Sequence, residues 1–167
     1  EVMRGVKQHK PQAIIHLAAE TDVDRCDRDP RHAYSINGTA VYNVAAAASE
    51  VGAKLVYVST AGVFDGKKDG LYTEIDRPNP RNFYGRSKHM GELIVEGMFD
   101  DYIIARACWM FGGGPKKDLK FVGKIIRQLD RPEIKAVSDA YGSPTFGKDL
   151  IEAIKQYVMH ERLEHLD

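Results

Sequence analysis

AIIHLAA, residues 13–19, is a continuous apolar run without polar alternation, which is typical of a parallel strand buried on both faces. AKLVYVS, residues 53–59, is a second apolar and β-branched strand. Between them, Asp29-Pro30 offers a helix N-cap followed by proline at the first helical position, and Gly52 a C-cap. Strand, long helix and strand joined by short turns predict a right-handed parallel crossover unit.

The long helix carries a polar residue, Asn37, on or near its buried side. The favoured interpretation is a core amide that hydrogen-bonds to backbone groups, because a buried amide needs partners. A direct part in the chemistry of a site is the alternative.

The rest of the chain alternates helices, strands and turn-rich loops. In the first half we expect a polar helix over 1–10, a polar loop over 20–24 and an extended loop over 61–80. A helix that opens at Arg81 or Asn82 and a third strand over 102–107 follow. Toward the carboxyl terminus we expect a flexible loop over 112–115, a helix over 118–129, a short strand over 134–137, a turn over 142–145 and a helix over 146–160. Leu93 and Ile94 are the expected core residues of the helix that opens near Asn82.

Composition places limits on the kind of protein. The 167 residues suit a single domain, and 24 acidic against 24 basic residues give no electrostatic case for nucleic acid or an anionic membrane as partner. No apolar run is long enough to span a bilayer and no signal peptide is visible, so we expect a cytoplasmic protein. Cys26 and Cys108 are expected to be reduced, and the histidines form no metal motif.

Tyr84 lies four residues before Lys88, so both side chains share one face of the predicted helix. A phenol has a pKa of about 10, and a nearby cation stabilises its phenolate. The pair is therefore a candidate proton donor or acceptor, although Tyr-x-x-x-Lys alone is a weak pattern. Ser59 and Thr60 end the strand over 53–59, where open parallel sheets collect ligands; plain strand termination and helix capping are the alternative.

The succession IIHLAAETDVD, DPRHAYSINGTAVYNVAAAASEVGAKLVYVSTAGVFDG, PNPRNFYGRSKHMGE, ARACWMFGG and GSPTFGKDL resembles the extended short-chain dehydrogenase/reductases. Within them it is most similar to the dTDP-4-dehydrorhamnose reductase branch, over nearly the whole chain. The resemblance implies an α/β fold, a Rossmann-like parallel sheet with helices on both faces. It would form one partial domain over 1–167, with elements of the substrate-binding part toward the carboxyl terminus.

The resemblance also implies roles for particular residues. Tyr84 would be the acid that protonates a sugar ketone, Lys88 would lower its pKa and hold the nicotinamide ribose, and Thr60 would hydrogen-bond the substrate oxygen. The cofactor, NADP or NAD, would contact Ala18, Ala19, Ser59, Tyr84 and Lys88. The nucleotide-sugar substrate would contact Thr21, Val23, Thr60 and Trp109. A partly buried core aromatic is the alternative for Trp109.

Two departures from the branch stand out. Ala61-Gly62 replaces an Asp-Tyr pair beside the reaction centre, which leaves the identity of the sugar open. The glycine-rich loop that cradles the cofactor pyrophosphate does not occur in the chain. We therefore expect a fragment whose amino-terminal nucleotide-binding half is missing, whose strand at Ala13 exposes apolar surface, and which binds cofactor poorly.

The expected function of the parent protein is NAD(P)H-dependent reduction of a nucleotide-linked 4-keto sugar. One alternative is a nucleotide-sugar epimerase or dehydratase, which returns the hydride to its product. A second is a non-catalytic regulatory subunit resembling that of methionine adenosyltransferase. The sequence leaves open the choice between NAD and NADP and the oligomeric state, a homodimer being one option.

Overall fold

The computed structural model describes residues 1–114, 116–118 and 120–160 and divides the chain into two compact units. The first is Glu1–Arg106 and the second begins at Ala107. The single domain expected over 1–167 stays a prediction. No helix among these residues is long and apolar enough to cross a membrane.

The first unit contains a sheet with helices packed against it. Its elements are α1 (Val2–His9), β1 (Ala13–His16), α2 (Val23–Arg28), α3 (Pro30–Tyr34), α4 (Ala40–Val51), β2 (Lys54–Thr60), α5 (Phe83–Met98) and β3 (Tyr102–Ala107). The strand order is β1-β2-β3, and β1 runs parallel to β2 with His16 opposite Tyr57. The Rossmann-like parallel sheet predicted from the sequence is confirmed.

The core of this unit lies on the face of the sheet that carries Leu55 and Tyr57. Val41 and Val44 of α4 and Val95 of α5 pack there, all at most 8% exposed. Apolar area removed from water stabilises the fold by about 25 cal/mol per Å². Burial of this face therefore fixes both long helices against β2.

Strand β1 differs from its prediction. It ends at His16 rather than Ala19, and it lies at the edge of the sheet. Ile15 and Leu17 are 41% and 53% exposed, so β1 is not buried on both faces within the described unit, whereas β2 is buried from Leu55 onward. The exposed apolar surface expected at this strand is confirmed.

The predicted long helix is interrupted by a π-helical segment, Ser35–Thr39, between α3 and α4. Its predicted caps are confirmed: Asp29 accepts a hydrogen bond from the backbone of His32, and Gly52 ends α4 at φ 68°. A π turn adds one residue to the helical ladder and often marks a functional position. Asn37 lies in the middle of this turn.

The polar loop expected over 20–24 is wrong in its second half, because α2 begins at Val23. Asp22 caps α2 by accepting a hydrogen bond from the backbone N–H of Arg25. An aspartate three residues before that amide is an N-cap pattern, and it was the signal in the sequence for this short helix.

Helix α5 begins where predicted, and Asn82 caps it by accepting a hydrogen bond from the backbone N–H of Gly85. Ile94 packs against the core as expected, but Leu93 is 55% exposed, so its predicted core position is wrong. Val95 and the fully buried Glu92 occupy the inward positions instead. The loop expected over 61–80 begins with a 3₁₀ turn, Ala61–Val63, and is confirmed from Phe64 onward, where no helix or strand occurs before α5.

The second unit contains β4 (Met110–Phe111), α6 (Phe121–Ile126), β5 (Thr145–Phe146) and α7 (Gly147–His160), with β4 and β5 parallel. The strand expected over 134–137 is wrong, because these residues take no regular structure. Ile134 and Val137 are exposed, so no burial of apolar surface stabilises a strand there. Helix α6 is shorter than 118–129. Thr145, which was predicted to lie in a turn, is the first residue of β5. Pro115, part of the loop predicted over 112–115, lies outside the described residues.

A pair of glycines on α5 gives a test of this packing. An added Cβ at Gly91 would collide with the Tyr57 hydroxyl and lie 2.8 Å from the Asn37 carbonyl oxygen, whereas one at Gly97 would meet nothing within 4 Å. We expect Gly91→Ala to lower the free energy of unfolding by about 1–3 kcal/mol through overpacking. Gly97→Ala should raise it by about 0.5–1 kcal/mol through helix propensity. Urea unfolding of both variants measures the difference, and equal effects would contradict the close approach of α5 to β2.

Candidate active site

Lys88 is the buried cation of the first unit and joins α5 to β2. It is 2% exposed, its ammonium donates a hydrogen bond to the Val58 carbonyl at 2.8 Å, and Nζ lies 4.1 Å from the centroid of the Tyr57 ring. Burial lowers the pKa of Lys88 to about 8, and the Glu92 carboxylate partly opposes this effect. Lys88 therefore brings a titratable charge to the strand that ends in Ser59 and Thr60.

Tyr84 lies in the first turn of α5, half-buried, and its position follows from two glycines. A Cβ at Gly85 would collide with the Gly62 carbonyl oxygen, so only glycine allows α5 to approach the turn after β2 this closely. A Cβ at Gly62 would lie 3.3 Å from Thr60 Oγ1 and 3.8 Å from Tyr84 Cδ1. Thr60 and Tyr84 therefore flank the same residue.

Thr60 caps the short 3₁₀ turn Ala61–Val63 as its hydroxyl oxygen accepts a hydrogen bond of 3.1 Å from the Gly62 N–H. The capping interpretation considered for this residue is thus what its side chain does in the structure. A hydroxyl has one donor and two acceptor sites, so accepting from Gly62 leaves its O–H able to donate. Capping and donation to a ligand oxygen are compatible.

Asn37 links the connection after β1 to α5. Its Oδ1 accepts from the Glu20 N–H at 2.9 Å, and its Nδ2 donates to the Glu20 carbonyl and to Ser87 Oγ, each at 3.0 Å. Ser87 Oγ in turn donates to the Tyr84 carbonyl at 2.9 Å. The hydrogen bonds to backbone expected of Asn37 are confirmed, and the link through Ser87 is a contact that local sequence patterns do not reveal.

The residues expected along the cofactor and substrate in the first part of the chain follow β1. Ala18, Thr21 and Val23 are exposed and Ala19 is half-buried. The two alanines lie between the end of β1 and Glu20, whose backbone Asn37 holds. The structure thus places Ala18, Ala19 and Thr21 in the connection at the carboxyl end of β1, and Val23 at the start of α2.

Trp109 lies in the second unit, where it is half-buried and stacks on Phe121 with 4.6 Å between the ring centroids. Its φ of 38° is in the left-handed region, which a bulky side chain rarely adopts. A Cβ at Gly142 would lie 2.9 Å from the indole, so the ring is confined on that side as well. The part of Trp109 in substrate binding stays a prediction.

Two buried polar atoms, Ser59 Oγ and His16 Nε2, have no hydrogen-bond partner within the described residues. His16 is stacked on Tyr57 at 5.8 Å, and Ser59 lies two residues beyond Tyr57 on the same face of β2. Burial, and then the charge of Lys88, lower the pKa of His16, which favours the neutral imidazole. Buried polar atoms require partners, so hydroxyl and amide groups of a dinucleotide fit this end of the sheet.

His16 was missed because a lone histidine in an apolar run carries no motif.

No three histidine, cysteine, aspartate or glutamate side chains converge as metal ligands in the described ranges, and both Cys26 and Cys108 are free thiols. The chemistry at hand is thus that of a phenol in the first turn of α5, an ammonium hydrogen-bonded to β2 and a hydroxyl at the end of β2. Such a set can stabilise and protonate an oxygen on which negative charge develops.

Known proteins are similar to this chain in sequence. The chain is 36% identical over 159 residues to the spore coat polysaccharide biosynthesis protein SpsK of Bacillus subtilis, covering 95% of this chain and 56% of that protein. It is 37% identical to the dTDP-4-dehydrorhamnose reductase of Burkholderia thailandensis, covering 89% of this chain and 49% of the relative. The chain thus spans about half the length of these curated relatives.

The fold matches a solved structure over the same region. The dTDP-4-dehydrorhamnose reductase of Bacillus anthracis, determined in complex with NADP, is 41% identical and superposes with a TM-score of 0.87. The match covers 95% of this chain and 56% of that one. The family model described as the RmlD substrate binding domain matches residues 1–166. The chain therefore belongs to the RmlD substrate binding domain family.

Proposed function

We propose that the complete gene product uses NADPH to reduce a nucleotide-linked 4-keto sugar, with dTDP-4-dehydrorhamnose as the first candidate. The convergence of Thr60 and Tyr84 on Gly62, with Lys88 anchored on β2, carries this proposal. The named reductases among its relatives support the substrate class, and the Bacillus anthracis enzyme in complex with NADP supports the cofactor.

The cofactor would be held by side chains at the carboxyl ends of β1 and β2. When bound, NADPH supplies a hydride to the keto carbon. Lys88 and Tyr84 would bind the nicotinamide ribose, Ser59 Oγ has hydrogen-bonding capacity to offer, and Ala18 and Ala19 would line the adenosine side. The unpartnered Ser59 hydroxyl supports this assignment, because a bound hydroxyl or amide would satisfy it.

Tyr84 would donate its phenolic proton to the oxygen of the ketone as that oxygen gains negative charge. The Lys88 ammonium stabilises the resulting phenolate electrostatically, which makes proton transfer easier. The Thr60 hydroxyl, oriented by its hydrogen bond from Gly62, would donate to the same oxygen. The three groups thus share one task, the stabilisation of a developing alkoxide.

Thr21, Val23 and Trp109 would contact the nucleotide-sugar. The exposure of Thr21, beside the N-cap of α2, and of Val23, in its first turn, supports their access to a ligand. The Ala61-Gly62 pair removes a carboxylate and a phenol that the related branch carries. We therefore expect that, if any property differs from the relatives, it is the identity of the preferred sugar.

Turnover is the direct test of the proposed function. The complete gene product should oxidise NADPH when dTDP-4-dehydrorhamnose is added, with one NADPH consumed for each sugar reduced. Net consumption separates a reductase from an epimerase, which returns its hydride. If NADPH binds and no 4-keto sugar nucleotide is reduced, the proposal is wrong.

Removal of the Tyr84 hydroxyl isolates the proton-transfer role. We expect Tyr84→Phe to lower kcat by about 10²–10⁴-fold, the usual contribution of general acid catalysis. The dissociation constant for NADPH should change far less, because the ring and Lys88 remain. Tyr42→Phe on the exposed face of α4 is the matched control and should leave kcat unaltered. Equal activity of the two variants would assign Tyr84 a structural role only.

The pKa of Lys88, about 8, sets the expected pH dependence. Lys88 is charged below this pH and loses its proton as the pH rises through it, so phenolate stabilisation is lost on the alkaline side. We expect kcat/KM for NADPH, which reports groups of the free enzyme, to fall above about pH 8. A constant or rising kcat/KM through this interval would contradict the role of the ammonium.

A further inference from the structure

An ion pair between α5 and β3 has no part in the proposed reaction. Glu92 is fully buried and accepts two hydrogen bonds from Arg106, one from Nε at 3.0 Å and one from Nη2 at 2.9 Å. The carboxylate also lies 3.3 Å from His89 Nδ1. Glu92 raises the pKa of Arg106 further, so the guanidinium is permanently charged. The pair joins β3, which carries Arg106, to the helix of Tyr84 and Lys88.

The guanidinium of Arg106 makes a second contact, on the loop after β2. It lies 5.2 Å from the centroid of the Phe64 ring, within the range of a cation–π interaction. Phe64 immediately follows the 3₁₀ turn that Thr60 caps. One guanidinium therefore touches both the helix that carries Tyr84 and the segment that begins at Thr60.

The Phe64 ring is itself held in the loop. It stacks on Tyr72 with 4.3 Å between centroids, and the Tyr72 hydroxyl donates to Asp65 at 2.8 Å. Asp65 also accepts from the amide of Asn79, whose backbone N–H donates to the Val63 carbonyl at 2.8 Å. Several hydrogen bonds and a ring stack thus make Phe64 a fixed part of this loop.

An ion pair between a fully buried carboxylate and a guanidinium that is only 19% exposed adds little to stability over apolar residues of similar size. A planar guanidinium can form a bidentate pair with a carboxylate in its plane and present its face to an aromatic ring. A lysine ammonium at the same position keeps the charge and loses both geometric features. Arg106 therefore suits a role in which two elements must be held at a fixed separation.

We propose that Arg106 is a positioning residue that, through Glu92 on α5 and Phe64 on the loop, sets the placement of Thr60 relative to Tyr84 and Lys88. The proposal rests on the proposed reductase function for its kinetic consequence. The mechanical link itself, from helix to guanidinium to loop, is independent of which sugar is reduced.

The kinetic test compares Arg106→Lys, Phe64→Leu and the double variant in the complete gene product. Each single variant should lower kcat by about 10–100-fold, the cost of a small misplacement of reacting groups, with little change in the dissociation constant for NADPH. The double variant should be no slower than Arg106→Lys, because both changes break the same link. Arg31→Lys on the exposed surface of α3 is the control and should match the unsubstituted protein.

Two outcomes would overturn the proposal: an unchanged kcat in both single variants, or multiplicative losses in the double variant. Phe64→Leu leaves the Glu92–Arg106 pair intact, so it still decides the matter if Arg106→Lys does not fold.

Native-state hydrogen exchange gives a readout that does not require turnover. Both variants should speed exchange of the Phe64 and Asn79 amides, and unchanged exchange there would also contradict the link. Lack of reductase activity in the unsubstituted protein, with this exchange response present, would refute the proposed function alone.

Discussion

The side chain of Asn37 is the interaction on which the arrangement of the site depends. It satisfies both backbone groups of Glu20 and also donates to Ser87, which binds the Tyr84 carbonyl. In a buried, low-dielectric environment such a network is favourable only when its members are satisfied. Asn37 is fully buried within the π turn Ser35–Thr39. The connection after β1 and the first turn of α5 are thereby held as one structure.

The second constraint is the burial of charge along α5. Lys88 and Glu92 lie four residues apart on the inward face, where apolar side chains would be the ordinary choice. Glycines at 85 and 91 let this helix approach the strand and the turn after it closely enough for the Lys88 ammonium to reach the Val58 carbonyl. Burial of the charge lowers the pKa of Lys88, and thus the packing that costs stability gives the site its chemistry.

Local patterns in the sequence predict much of the fold and part of the site. The Asn82 cap and the Tyr84–Lys88 spacing are signals carried by neighbouring residues, and the structure has the cap and the helix where they were expected. His16 and Arg106 could not be found in this way, because their roles come from partners far along the chain. A histidine in an apolar run and an arginine in a strand acquire meaning only after the sheet brings Tyr57, Glu92 and the loop together. The wrong prediction of Leu93 as a core residue has the same origin. The inward position beside it is occupied by Glu92, whose charge is paired with Arg106 on another element.

We propose that the carboxyl end of β2 and the first two turns of α5 form a nicotinamide and keto-sugar site. A crystal structure of the complete gene product with NADP and a nucleotide-sugar bound tests this most directly. We expect the nicotinamide ribose within hydrogen-bond distance of Tyr84 and Lys88, and the sugar C4 oxygen between Tyr84 and Thr60. A dinucleotide bound elsewhere, or a sugar that does not approach Tyr84, would contradict it.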